Sequence, residues 1–263
     1  MREVMYDKNS VLIAVILFVS MVVAIEVGAR LGIRLSESVT KSLRSQVNSV
    51  QASLLGILAL LLGFTFSQSL QRYDTRSAAV VEEANAIGTA YLRTDILPDE
   101  IREDSQALMG DYIANRIAAG AISLDRDDER EAIIEVGVQV QEALWQLAIH
   151  GASISDRPAT MNLYLQSLNE MFDSNALRDA ALSRHIPEPV LILLYSTFIL
   201  TGLLVGYAAG VAGTRAPNGT YVLVALIVIL VFIIIDLDRP RRGLIEVDQS
   251  SLVELRALTA GRL

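Results

Sequence analysis

From Val190 to Ala212 the chain runs for 23 residues without a charge. As a helix rising 1.5 Å per residue, this stretch is about 34 Å long, enough to cross a hydrocarbon core of about 30 Å. Three further apolar stretches accompany it: Val11–Ile33, Ala52–Leu70 and Thr220–Ile235. The last has 16 uncharged residues before Asp236, so it reaches only about 24 Å and places Asp236 at or just inside a membrane boundary. The chain is 52% hydrophobic with 6% aromatics, so its apolar excess is aliphatic, and the expected class is an integral membrane protein. The first stretch follows Arg2 and Lys8, as a signal peptide would. It is too long for a signal h-region and no small-residue cleavage site follows, so a retained anchor is expected.

Charge divides the chain. Residues 77–185 hold 19 acidic and 8 basic side chains, whereas the remainder holds 11 and 14. An acidic block excludes the basic footprint that nucleic acid requires. Helical stretches fill this block, and no strand-like alternation interrupts them. "SAAVVEEANAIGTAYLR" continues the second crossing, Pro98 in "LPDE" starts a new helix, and "DRDDER" opens the next. Gly151 is expected to end that helix, "SDRPAT" opens another running to about Arg184, and "HIPEP" forms an elbow into the third crossing. Pro240 is expected to end the fourth crossing, leaving a short, amphipathic and peripheral tail. The reading is an all-α integral membrane protein with four transmembrane helices and a helical cytoplasmic bundle between helices two and three. Its parts are 1–74, the first helix pair; 75–186, the acidic domain; 187–238, the second pair; and 239–263, the tail.

Basic residues near the crossings set orientation. Arg2, Lys8, Arg72, Arg76, Arg178, Arg184, Arg239, Arg241 and Arg242 share one side; Arg30, Arg34, Lys41, Arg44 and Arg215 share the other. Nine against five places the termini and residues 75–186 in the cytoplasm of a multi-pass inner-membrane protein.

The candidate site lies in "LLGFTFSQSLQRYDTR", residues 61–76. At 100° per residue, Thr65, Ser69, Arg72 and Arg76 fall within about 40° of one line, with Gln68 beside it. The line extends back through Leu61, Leu58 and Leu54. One helix face thus changes from leucine to hydroxyl to guanidinium. Polar side chains at membrane depth face protein or water, so this pattern suits a hydrophobic constriction opening into a wet mouth. It equally suits arginines meeting lipid phosphate and hydroxyls bonding the preceding turn.

Other residues carry two readings each. Glu82 and Glu83, with Asn85, could attract cations at a pore mouth or form a solvated or salt-bridged face. Asp236, Asp238 and Arg239 could ring a pore entrance or hold crossings together by salt bridges. Glu26 and Arg30 stand four apart in the favourable order for a helical pair, as a structural bridge or an ion-binding site. Gly202, Gly206 and Gly210 form a stripe for close helix packing, within or between subunits. Trp145 reads as core, and His150 and His185 have no ligand or triad partner in the sequence. No metal or cofactor motif is present, and the chain has no Walker loop, dinucleotide fingerprint, zinc-protease helix or nucleophile elbow.

"LLGFTFSQSLQRYDTRSAAVVEEANAIGTAYLRTDILP" with "DLDRPRRGLIEV" far downstream resembles the bestrophin-like domain family of bacterial membrane proteins. The resemblance implies an oligomeric channel for small monovalent ions, leaning to anions, lined by the second crossing and pentameric as in bestrophins, with membrane lipids and permeant ions as partners. The calcium-clasp acids of bestrophins are not found. "GFTF" offers Phe64 and Phe66 for their aromatic neck, off the Leu61–Thr65 line. The alternative is a non-conducting scaffold or signalling protein whose acidic domain binds a partner. A third reading is a lipid-interacting enzyme with a carboxylate site, although no enzymatic activity is expected.

Overall fold

A computed structural model describes residues 10–36, 40–123, 126–214, 217–239 and 244–261. These form eight α-helices with no strand among the described residues: α1 (Ser10–Leu35), α2 (Lys41–Arg93), α3 (Asp99–Ala121), α4 (Asp127–Ile154), α5 (Pro158–Leu182), α6 (Glu188–Val211), α7 (Asn218–Asp238) and α8 (Ser250–Ala260). Four of them, α1, α2, α6 and α7, are long and apolar enough to cross a membrane. Arg2, Lys8, Arg215, Pro240, Arg241, Arg242 and the side chain of Lys41, used above for orientation and helix ends, lie outside the described residues.

The chain divides into two compact units. One comprises residues 1–71 and 185–239, the other residues 72–184 and 240–263. Helix α2 contributes to both, because nothing between Lys41 and Arg93 breaks it: no proline occurs, and both glycines near its middle are tolerated.

In the first unit, Leu17, Met21 and Ile25 of α1 pack with Leu58 and Leu62 of α2, Phe198 of α6, and Val224 and Ile234 of α7. The opposite faces carry exposed Val15, Val19 and Val23 on α1 and Val222, Leu226 and Ile229 on α7. Such a coat suits acyl chains rather than water. Helices α1 and α6 touch through glycine on both sides. A Cβ on Gly206 would strike the Ile25 carbonyl and one on Gly210 the Ala29 carbonyl, while Gly28 and Gly32 stand equally close to the α6 backbone. Gly202 faces the Met21 side chain. The small-residue stripe of α6 therefore packs within the protomer, and its counterpart on α1 went unread in the sequence.

The second unit is a helical bundle around Ile87 and Tyr91 of α2, Met109 and Tyr112 of α3, Leu144 of α4, and Tyr164 and Leu168 of α5. Trp145 joins its margin, 6.5 Å from Phe172 between ring centroids. Two expectations are corrected here. Gly151 lies inside α4, which continues to Ile154, and its missing side chain makes room for Ile101 and Met161. The tail is not peripheral: Leu252 of α8 is fully buried in this core, and Tyr91 donates to the Thr259 carbonyl at 3.3 Å.

Candidate functional site

The helix-wheel line that the sequence singled out is largely enclosed. Leu58, Thr65, Ser69 and Arg76 are each 3% exposed or less. Leu61 and Arg72 are half-buried, and Gln68 alone is exposed. Thr65 donates its hydroxyl to the Leu61 carbonyl at 2.8 Å, the bond to the preceding turn that mid-helix threonine commonly makes. The Ser69 hydroxyl is enclosed without a hydrogen-bond partner among the described residues. Arg76 donates Nε to the Ala181 carbonyl at 3.2 Å and Nη2 to the Arg184 carbonyl at 2.7 Å. Ala181 lies in the last turn of α5 and Arg184 just beyond it, at carbonyls that a guanidinium satisfies well.

The other face of α2 is open. At 100° per residue Gly56, Leu60, Gly63, Ser67 and Gln71 lie about 120–180° from Leu58 and Thr65. All are exposed, and a Cβ on Gly56 or Gly63 would meet nothing within 4 Å. Phe64 borders this face and is 60% exposed. In the most apolar part of α2 only 17% of residues are buried, against 28% to 39% in the other three candidate spans. The protomer thus leaves this helix the least covered. Farther along, Asp74, Glu82 and Asn85 are exposed on α2.

Glu82 and Glu83 part company. Glu83 is fully buried, with Oε1 2.5 Å from Arg116 Nε and Oε2 accepting from Arg178 Nη1. Arg178 also donates Nη2 to Gln249 Oε1 at 2.6 Å, and Arg116 lies 3.6 Å from Asp179. Burial is the largest single influence on the Arg116 guanidinium and would lower its pKa, but Glu83, Tyr112 and Asp179 together outweigh it and the net direction is upward. Sequence reading missed Arg116 and Arg178. Their signal was positional: each sits on the apolar stripe of its helix, Arg116 one turn beyond Tyr112, where a cation needs a buried partner.

Asp236, Asp238 and Arg239 are buried at the end of α7. Asp238 Oδ2 accepts the Ile186 N–H at 2.9 Å, and Arg239 Nη1 donates to Ser10 Oγ at 3.2 Å. These bonds join chain segments within the first unit. Glu26 and Arg30 pair at 2.8 Å on an exposed face of α1. His150 is exposed and His185 half-buried. Among the described residues, no group of three or more histidines and carboxylates is placed to hold a metal ion.

A family model, the Bestrophin-like domain, matches residues 11–252 of the chain. No curated protein and no solved structure matches it.

Proposed function

We propose, on the premise that the chain belongs to the Bestrophin-like domain family, that it is an ion channel formed by several copies with α2 around the path. The observation that carries this reading is the open face of α2. Ser67 is exposed there beside the hydrocarbon-rich stretch, and acyl chains offer a hydroxyl no hydrogen bond. Gly56 and Gly63 meet nothing in the protomer, so its own packing does not account for their size. Water along this face, and the approach of neighbouring α2 helices, accounts for both facts. Leu60 and Phe64 then take the constricting role assigned in the sequence to Leu58 and Leu61, whose line supports the protomer from within.

The preferred ions change with the face. The expected leaning to anions came from the family resemblance, and the side chains that would favour anions are Arg72 and Arg76. Arg76 is buried against backbone carbonyls, and Arg72 is half-buried. The exposed charges on α2 beyond the apolar stretch include Asp74 and Glu82, and the second unit carries the acidic excess. Their field concentrates small monovalent cations at the mouth. The test is flux from liposomes holding the purified full-length chain, with potassium and chloride as alternative permeant ions. Cation flux that Gly63→Trp abolishes in a folded oligomer is expected. Absence of flux from well-folded oligomers at every voltage and pH overturns the channel and leaves a membrane scaffold.

A further inference from the structure

Three helix ends of the first unit meet around one cleft. Ser10 opens α1, Glu188 opens α6 and Asp238 closes α7. The enclosed part of the cleft holds about 50 Å³, and its mouth is open. Hydrocarbon lines most of it, including Leu17 of α1, Phe198 of α6 and Ile235 of α7, while His185, Glu188, Asp238 and Arg239 gather at its other end. The polar end coincides with the ends of three candidate membrane helices, the depth at which acyl chains give way to head groups.

Glu188 Oε1 is enclosed and accepts no hydrogen bond from any described residue. Glu188 lies in the first turn of α6, where the helix dipole favours negative charge. A buried carboxylate oxygen without a donor is costly, so the cleft calls for an N–H or O–H group. Asp238 adds a second carboxylate nearby, which repels an anionic head, and Arg239 supplies one cation at the same end. The complement is a zwitterionic head whose primary ammonium donates to Glu188, above an alkyl chain for the apolar wall; Asp238 and Arg239, which already bond the Ile186 N–H and the Ser10 hydroxyl, set the local charge.

We propose that this cleft binds a membrane phospholipid with a primary ammonium head, the ethanolamine class, with the ammonium donating to Glu188. The proposal does not depend on ion conduction. Choline lipid is the discriminating probe, because it has the same net charge and no N–H donor.

The test uses the full-length protein in mild detergent, exposed to an equimolar mixture of ethanolamine, choline and glycerol phospholipids with identical chains. Retained lipid is measured by native mass spectrometry. Ethanolamine lipid is expected to exceed choline lipid by about tenfold, the worth of one charge-assisted hydrogen bond. Glu188→Gln, which keeps the side chain's size, is expected to bring the ratio near one. Leu191→Trp, at a half-buried wall position, is expected to reduce retention of every lipid. Thermal melting of both variants checks that they remain folded. Equal retention of ethanolamine and choline lipids, preference for the glycerol lipid, no retained lipid, or an ethanolamine preference that survives Glu188→Gln each overturns the proposal.

Discussion

Glu83 Oε1 lies 2.5 Å from Arg116 Nε, and both side chains are buried. The second carboxylate oxygen serves Arg178, so one anion compensates two guanidiniums arriving from α3 and α5. Removing a partner from a buried pair is far more damaging than the pair is stabilising, because the remaining charge stays desolvated.

Glu83→Gln should therefore destabilise the second unit by about 3–5 kcal/mol. Its neighbour Glu82 is exposed, and Glu82→Gln should change stability by no more than about 0.5 kcal/mol. Trp145 is the chain's single tryptophan and packs at the edge of this core, so its fluorescence during denaturant unfolding reads the difference. Equal midpoints for the two variants would show that the triad carries no such weight.

The glycines of the membrane helices separate packing from lining. Gly206→Leu would drive a side chain into the Ile25 carbonyl, and backbone in a packed helix pair has nowhere to move. Loss of monodisperse protein on size exclusion is expected. Gly63→Leu meets open space in the protomer and should leave the folded protein intact. Under the channel reading it nevertheless reduces ion flux, because the added side chain enters the path.

Why the sequence revealed some of this and not the rest follows from the range of the forces involved. The four membrane helices were legible because length and absence of charge suffice to define a span, and that information is local. Spacing alone also exposed Gly202, Gly206 and Gly210. The direction that α2 faces was not legible. A line running from leucine through hydroxyl to guanidinium looks the same whether it meets a lumen or its own protomer. What decides Arg76 is a pair of carbonyls more than 100 residues away, at Ala181 and Arg184. Likewise Glu83 resembled its exposed neighbour until Arg116 and Arg178 were brought to it. The open face of α2 was overlooked because glycine and serine give little pattern of their own.

The two kinds of charge on α2 should respond differently to mutation. Asp74→Arg with Glu82→Arg places cations on exposed positions and should shift the reversal potential toward that of an anion path. Arg72→Glu, at a half-buried position, should move ion preference less. Arg76→Gln strips donors from the Ala181 and Arg184 carbonyls and should lower stability without a change in selectivity. Measurement under a salt gradient across the liposome distinguishes these outcomes. A selectivity change on Arg76→Gln in a stably folded protein would return the buried line to the conducting path.

Alkaline pH tests the core of the second unit. Burial pushes the Tyr112 phenol up to about 12, with Arg116 opposing this, and burial does the same for Tyr164 beside the Ser105 hydroxyl. An unfolded phenol titrates near 10. Between pH 10 and 12 the folded state therefore holds protons that the unfolded state has lost, and stability falls as pH rises through that window. Below pH 10 both states are protonated and the full contribution remains; above 12 it is gone. Each phenol is worth about 2–3 kcal/mol by this linkage. Few other groups compete, since the basic residues are nearly all arginine and cysteine is absent. Denaturant midpoints followed by helical circular dichroism should fall between pH 10 and 12, and more shallowly in the Tyr112→Phe, Tyr164→Phe double variant. An unchanged slope in that variant would mean that the two phenols titrate no differently folded than unfolded.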